Sequence, residues 1–94
     1  MQFCANVIVE LKEGVRDPHG YAITSVIRRN GLGDDIKVNA GKFYSILLNA
    51  ETREEANQKL EKICETVLSN PVLESYKVIN LKTNESSDNS FSGH

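Results

Sequence analysis

Phe3-Cys4-Ala5-Asn6-Val7-Ile8-Val9-Glu10-Leu11 is the stretch that decides the fold. Its odd positions are all apolar, while the even ones, Cys4, Asn6, Ile8 and Glu10, are mixed. A period of two with one apolar side marks a β-strand with one buried face. No basic region precedes an apolar stretch between Met1 and Leu11, so no secretory signal is expected. No apolar run approaches the roughly 18 residues that span a bilayer, and the cytoplasm is the expected compartment.

Downstream, Lys12, Glu13 and Gly14 open a loop that ends at Asp17, a good N-cap, and Pro18, which suits the first helical position. A helix is expected from Pro18 to about Asn30. Ala22, Ile23, Val26 and Ile27 share a face on it, Arg28 and Arg29 suit its negative end, and Gly31 can take the left-handed position after it. Asp35 to Ala40 alternates again, Gly41 marks a turn, and Lys42 to Ala50 completes an expected hairpin. Thr52-Arg53-Glu54-Glu55 reads as a capping box. It starts a helix whose stripe is Ala56, Leu60, Ile63, Cys64, Val67 and Leu68, with Glu55 and Lys59 able to pair. Ser69, Asn70 and Pro71 end it, and a last strand runs from about Glu74 to Leu81.

The order is βαββαβ, an α+β pattern whose simplest packing is a two-layer sandwich: a four-stranded antiparallel sheet with two helices on one face. Ninety-four residues hold one domain, expected over 1–82, and the polar tail 83–94 is expected to be disordered. If the odd face of the first strand meets the helices, the open face carries Ile8, Phe43 and Leu47. A body of about 80 residues has a marginal core, so these three are the expected contact of a homo-oligomer formed through the sheet.

The composition excludes several chemistries. Residues 1–82 carry eleven Lys and Arg against eleven Asp and Glu, which lacks the basic excess of a nucleic-acid binder. Cys4 and Cys64 lie far apart and His19 and His94 are the only histidines, too few ligands in too little order for structural zinc. Each cysteine reads as a small apolar filler. His19 near Asp17 has a base's neighbour but no nucleophile. Gly31-Leu32-Gly33 follows a helix rather than a strand, and Gly41-Lys42 lacks the rest of a Walker motif. No catalytic, cofactor or metal residue is assigned.

The ordered set Val7-Ile8-Val9-Glu10-Leu11-Lys12, Gly14-Val15-x-Asp17-Pro18-x-Gly20, Gly31, Gly41-Lys42, Cys64 and Asn70-Pro71-Val72-x-Glu74-x-Tyr76 resembles the PurS family. PurS is the small subunit of phosphoribosylformylglycinamidine synthase in bacteria and archaea. The resemblance covers about residues 3 to 80. It implies a non-catalytic subunit that joins a glutaminase, PurQ, to an ATP-dependent synthetase, PurL, and assists ammonia transfer between them in de novo purine synthesis. It further implies a homodimer or homotetramer, no cofactor in this chain, and ATP and magnesium held by the large subunit. Asp17, Gly20, Lys42, Asn70, Glu74 and Tyr76 become candidates for docking those partners, with local capping and turn geometry as the competing reading. Arg16 and His19 in the Asp-Pro loop depart from the family pattern.

Two other classes fit the same topology. One is a small-ligand-sensing βαββαβ module. The other is a small phosphoryl or acyl hydrolase, although Glu13 to Gly20 lacks a phosphate-cradling pattern.

Overall fold

The computed structural model describes residues 1–83. Its elements are β1 (Gln2–Leu11), α1 (Pro18–Arg29), β2 (Gly41–Asn49), α2 (Arg53–Ile63), a π-helical turn Cys64–Leu68 and β3 (Glu74–Thr83). Of the tail expected at 83–94, Thr83 belongs to β3 and the remainder lies outside the described residues. Among the described residues no helix is long and apolar enough to cross a membrane.

β1 is the centre of an antiparallel sheet ordered β2-β1-β3. Phe3, Ala5, Val7 and Val9 are buried on one face, as the period of two requires. β2 pairs with β1 in unbroken register from Gln2↔Asn49 to Glu10↔Gly41, placing Tyr44, Ile46 and Leu48 over the same face. β3 pairs on the other side, with Asn6↔Asn80 followed by Val7↔Val78. Ile79 is therefore the extra residue of a β-bulge, and the bulge puts Tyr76 and Val78 on the core face along with Leu81.

The α+β class holds, but the sheet has three strands rather than four. Asp35–Ala40 forms no ladder, and Gly41 is the first residue of β2 rather than a hairpin turn. The reason lies in who takes its N–H groups. Val38 N donates to Thr24 Oγ1 at 2.9 Å and Ala40 N donates to the Asp17 carboxylate at 2.9 Å, which ties the segment to α1.

The helix boundaries follow their caps. Asp17 accepts from Gly20 N at 3.0 Å. At the other end Leu32 N donates to Ile27 O and Gly31 N to Arg28 O, with Gly31 at φ +71°, the paired bonds of a Schellman motif. Thr52 Oγ1 accepts from Glu55 N at 3.1 Å, but Glu55 reaches back to Glu51 N at 2.9 Å, one residue before the donor expected of a capping box.

The two helices contribute unequally. Ala56, Leu60 and Cys64 of α2 and its extension are fully buried against the sheet. Successive four-residue steps overshoot a 3.6-residue turn, and the wider π turn absorbs the overshoot, so Leu68 still packs on the core while Val67 turns outward. α1 supplies nothing to this core. Its buried residues are Gly20 and Thr24, whereas Ile23 and Val26 of its expected apolar stripe are exposed. The inward side of α1 carries hydrogen-bonding groups and so meets the polar segment 37–40 rather than the apolar sheet.

Candidate functional site

Three features gather the residues that the sequence singles out. The first is the joint between α1 and segment 38–40. Asp17 caps the helix through one carboxylate oxygen and holds Ala40 N through the other, and these two backbone bonds, that from Ala40 foremost, hold its carboxyl below the usual range. Thr24 Oγ1 donates to Gly20 O at 2.8 Å while accepting from Val38 N. A Cβ on Gly20 would lie 2.5 Å from Val38 O, so only glycine lets the segment come this close. Asp17 and Gly20 thus do structural work here. His19 is exposed beside them, and both oxygens of its neighbouring carboxylate already serve backbone amides.

The second feature lies at the same end of the sheet, where β3 begins opposite Leu11. Asn70 Oδ1 accepts from Val72 N, Asn70 O accepts from Leu73 N and Glu74 N, and Asn70 N donates to Glu74 Oε1 at 2.7 Å. This closed turn is clamped to β1, because Lys12 N donates to Leu73 O and Lys12 Nζ to Pro71 O. Lys42 approaches the second oxygen of Glu74 at 4.0 Å, with the lysine 61% exposed and the glutamate 17%. Tyr76 donates its hydroxyl to Glu65 at 3.1 Å, and burial followed by that carboxylate pushes the phenol up. A groove of about 560 Å³ runs along Glu65, Pro71, Glu74 and Tyr76. Four of the six docking candidates, Lys42, Asn70, Glu74 and Tyr76, therefore share one patch, and Asp17 and Gly20 belong to the joint.

Between these features opens a cleft of about 870 Å³, walled by the β1–α1 loop, α1 and residues 37–40. Lys12, Arg16, Arg28 and Lys37 line it together with Glu10 and Glu13, a mixed surface without a single sign of charge. Among the described residues there is no group of three or more His, Cys, Asp or Glu arranged to hold a metal ion. Cys64 is buried, and burial, followed by Glu65 and Glu61, raises its thiol. That suits a space-filler rather than a nucleophile.

The third feature is the open sheet face. Ile8 stands opposite Phe43 and Cys4 opposite Leu47, giving two apolar cross-strand pairs. Between them runs a polar row in which Ser45 Oγ donates to Asn6 Oδ1 and Asn6 Nδ2 donates to Asn80 Oδ1, each at 3.2 Å. Phe43 is 59% exposed, Leu47 46% and the bulged Ile79 48%, while Ile8 is half-buried. The structure thus brings Ile8, Phe43 and Leu47 onto one face and adds Ile79, which alternation alone would have left unassigned.

Thr24, Lys12 and Glu65 were missed by sequence reasoning. Thr24 had a signal, since a threonine four residues after a glycine on the helix side facing a loop is placed to bridge them. Lys12 and Glu65 had none, because their partners are about sixty and eleven residues away.

Comparison with known proteins places this arrangement. A family model described as PurS, phosphoribosylformylglycinamidine (FGAM) synthase, matches residues 4–82. The phosphoribosylformylglycinamidine synthase subunit PurS of Archaeoglobus fulgidus is 40% identical over 75 residues, which cover 80% of this chain and 94% of that protein. The solved structure of Thermus thermophilus PurS superposes with a TM-score of 0.76 at 34% identity, covering 87% of this chain and 96% of that one. A chain of the PurLQS structure from Thermotoga maritima gives 0.75 at 35% identity, covering 83% and 95% respectively. With the sheet, both helices and the clamped turn of Asn70 all inside the matched span, the chain belongs to the PurS family.

Proposed function

We propose that this chain is the non-catalytic small subunit of a phosphoribosylformylglycinamidine synthase complex in purine biosynthesis. It joins a glutaminase subunit of the PurQ kind to a synthetase subunit of the PurL kind. The complex converts formylglycinamide ribonucleotide, glutamine and ATP to formylglycinamidine ribonucleotide and glutamate. One observation carries the reading: the chain covers nearly the whole length of relatives that are themselves subunits of this enzyme, and one structural neighbour is a chain of a PurLQS assembly. In this role the protein holds no cofactor, and ATP and magnesium sit in the large subunit.

The physical task is geometric. Two active sites must be held in register so that ammonia is not lost to bulk water, where it would be protonated. Rigid, self-satisfied turns serve that better than reactive groups. The Asn70–Glu74 turn, clamped by Lys12, presents Lys42, Glu74 and Tyr76 on a fixed support, and we assign this patch as the docking surface for a large subunit. The protein works in the cytoplasm as a homodimer or homotetramer, with its open sheet face covered by association.

The test is reconstitution with purified synthetase and glutaminase subunits, comparing glutamine-driven with ammonia-driven product formation, with and without this protein. The expected result is that only the glutamine-driven rate depends on it. If neither rate changes and no complex forms, the reading fails.

A further inference from the structure

We infer that the outer edge of β3, between Glu74 and Val78, takes an extended segment of a large subunit as an added strand, and that this segment carries a basic side chain for Glu65. The inference rests on the docking patch proposed above and deepens it by naming what lands there.

The backbone sets the geometry. Lys12 N donates to Leu73 O, which makes Lys12 and Leu73 a hydrogen-bonded pair continuing the β1–β3 register. Such pairs recur at every second residue. Ser75 and Lys77 therefore turn their backbone groups toward Glu10 and Ile8, and Glu74, Tyr76 and Val78 turn theirs outward. β3 closes one side of the sheet, so no further strand among the described residues meets those outward groups. The edge is shut at both ends: Asn70 O takes the amide of Glu74, and Arg53 of α2 donates to Leu81 O. Between them the outward backbone groups of Tyr76 and Val78 have no hydrogen-bond partner among the described residues. The bulge at Ile79 bends the strand just beyond, which limits the open stretch to residues 74–78.

The groove of about 560 Å³ follows this open stretch. Side chains of Glu74, Ser75 and Tyr76 alternate between the two faces of the sheet, so all three can line one groove only along the edge of the strand. Its other wall is the π turn, through Glu65, Thr66 and Ser69. A slot with a free strand edge on one side and side chains on the other suits an extended chain, whose main-chain bonds supply affinity while the wall selects its side chains.

Charge selects the occupant. Glu65 holds the Tyr76 hydroxyl through one carboxylate oxygen and leaves the other unused. Glu74 gives one oxygen to Asn70 N and has only the distant Lys42 for its second. Two carboxylates with spare acceptor capacity on the walls of the slot match an incoming Lys or Arg. A second copy matches poorly. Paired about Tyr76 it would bring the two Glu65–Tyr76 pairs together, and paired about Lys77 it would set Lys77 against Lys77, like charges in both cases.

The test is hydrogen exchange of this protein alone and in complex with the purified large subunits, read by fragmentation mass spectrometry over residues 74–79. Alone, the amides of Tyr76 and Val78 should exchange freely beside slow Ser75 and Lys77. In the complex those two should slow by at least about ten-fold, while the inward pair stays as it was. Glu65→Lys should keep its circular dichroism and weaken the complex by about ten-fold or more. A complex in which Tyr76 and Val78 exchange as fast as in the free protein overturns the edge pairing and leaves the subunit assignment standing. Protection of both amides in the protein alone also overturns it, since a second copy then holds the edge. A folded Glu65→Lys of unchanged affinity overturns the basic side chain at Glu65. Absence of any complex with wild type overturns this inference together with the proposed function.

Discussion

Thr24→Val isolates the joint between α1 and segment 38–40. The substitution keeps the shape of the side chain and removes a buried hydroxyl that accepts from Val38 N at 2.9 Å and donates to Gly20 O at 2.8 Å. Gly20 O loses little, because the helix already supplies it with the backbone amide of Thr24. Val38 N loses its partner in a half-buried setting, and an orphaned donor of that kind costs about 1–3 kcal/mol. At about 1.4 kcal/mol per factor of ten, opening of this joint should become about 5- to 150-fold more frequent. Amide hydrogen exchange reads that opening directly. Exchange at Val38 and Ala40 should accelerate by that factor, while core amides in β1 and α2 change only as far as global stability falls. Thr24→Ser, which keeps the hydroxyl, should restore slow exchange. If Val38 and Ala40 exchange no faster in Thr24→Val than in wild type, the segment is held by something other than this hydrogen bond and the account of the missing fourth strand is wrong.

Gly20→Ala should also loosen the joint even though alanine favours helix, because its Cβ would press on Val38 O; faster exchange at Val38 with α1 still helical is the expected pair of results. Leu60→Ala, at a fully buried core position, should cost about 2–5 kcal/mol in urea unfolding. Asp17 has a folded pKa below its ordinary value near 3.8, so its contribution to stability is complete above that value and is lost as pH falls through the lower folded one. Urea midpoints measured across the acid range should therefore fall less steeply below about pH 4 for Asp17→Asn than for wild type. Thiol titration at neutral pH should modify Cys4 first and Cys64 only on unfolding, since burial both shields that thiol and disfavours its thiolate.

Lys42→Ala separates docking from folding at the clamped turn. The Lys42–Glu74 pair is wide and its lysine is mostly exposed, so its loss should change stability by less than about 1 kcal/mol. A drop in affinity for a large subunit at unchanged unfolding midpoint is the expected result, and unchanged affinity would remove Lys42 from the docking surface.

Local chemistry made much of the fold legible in the sequence. The alternation of Phe3 to Leu11, the caps at Asp17 and Thr52, Gly31 after α1 and the stop at Asn70-Pro71 are all decided within a few residues of chain, where sterics and nearby hydrogen bonds dominate. The same holds for the side of the sheet that carries Ile8, Phe43 and Leu47, because a period of two assigns faces without knowledge of the partner. The bulge at Ile79 was not read from the sequence, although the adjacent apolar residues Val78 and Ile79 mark the place where the alternation of β3 changes phase.

Tertiary structure alone decided which polar groups compete for a backbone. Asp35–Ala40 alternates like a strand, yet Thr24 and Asp17, 14 and 23 residues away from their respective partners Val38 and Ala40, take the amides a ladder would need. α1 has an apolar stripe, yet its polar side turns inward because that side makes those bonds. Lys12 reaches Pro71 and Glu65 reaches Tyr76 only because β1, β3 and the π turn meet at one end of the sheet. Periodicity reports which side of an element is apolar. Which neighbour satisfies its hydrogen bonds depends on distances that exist only once the chain has folded.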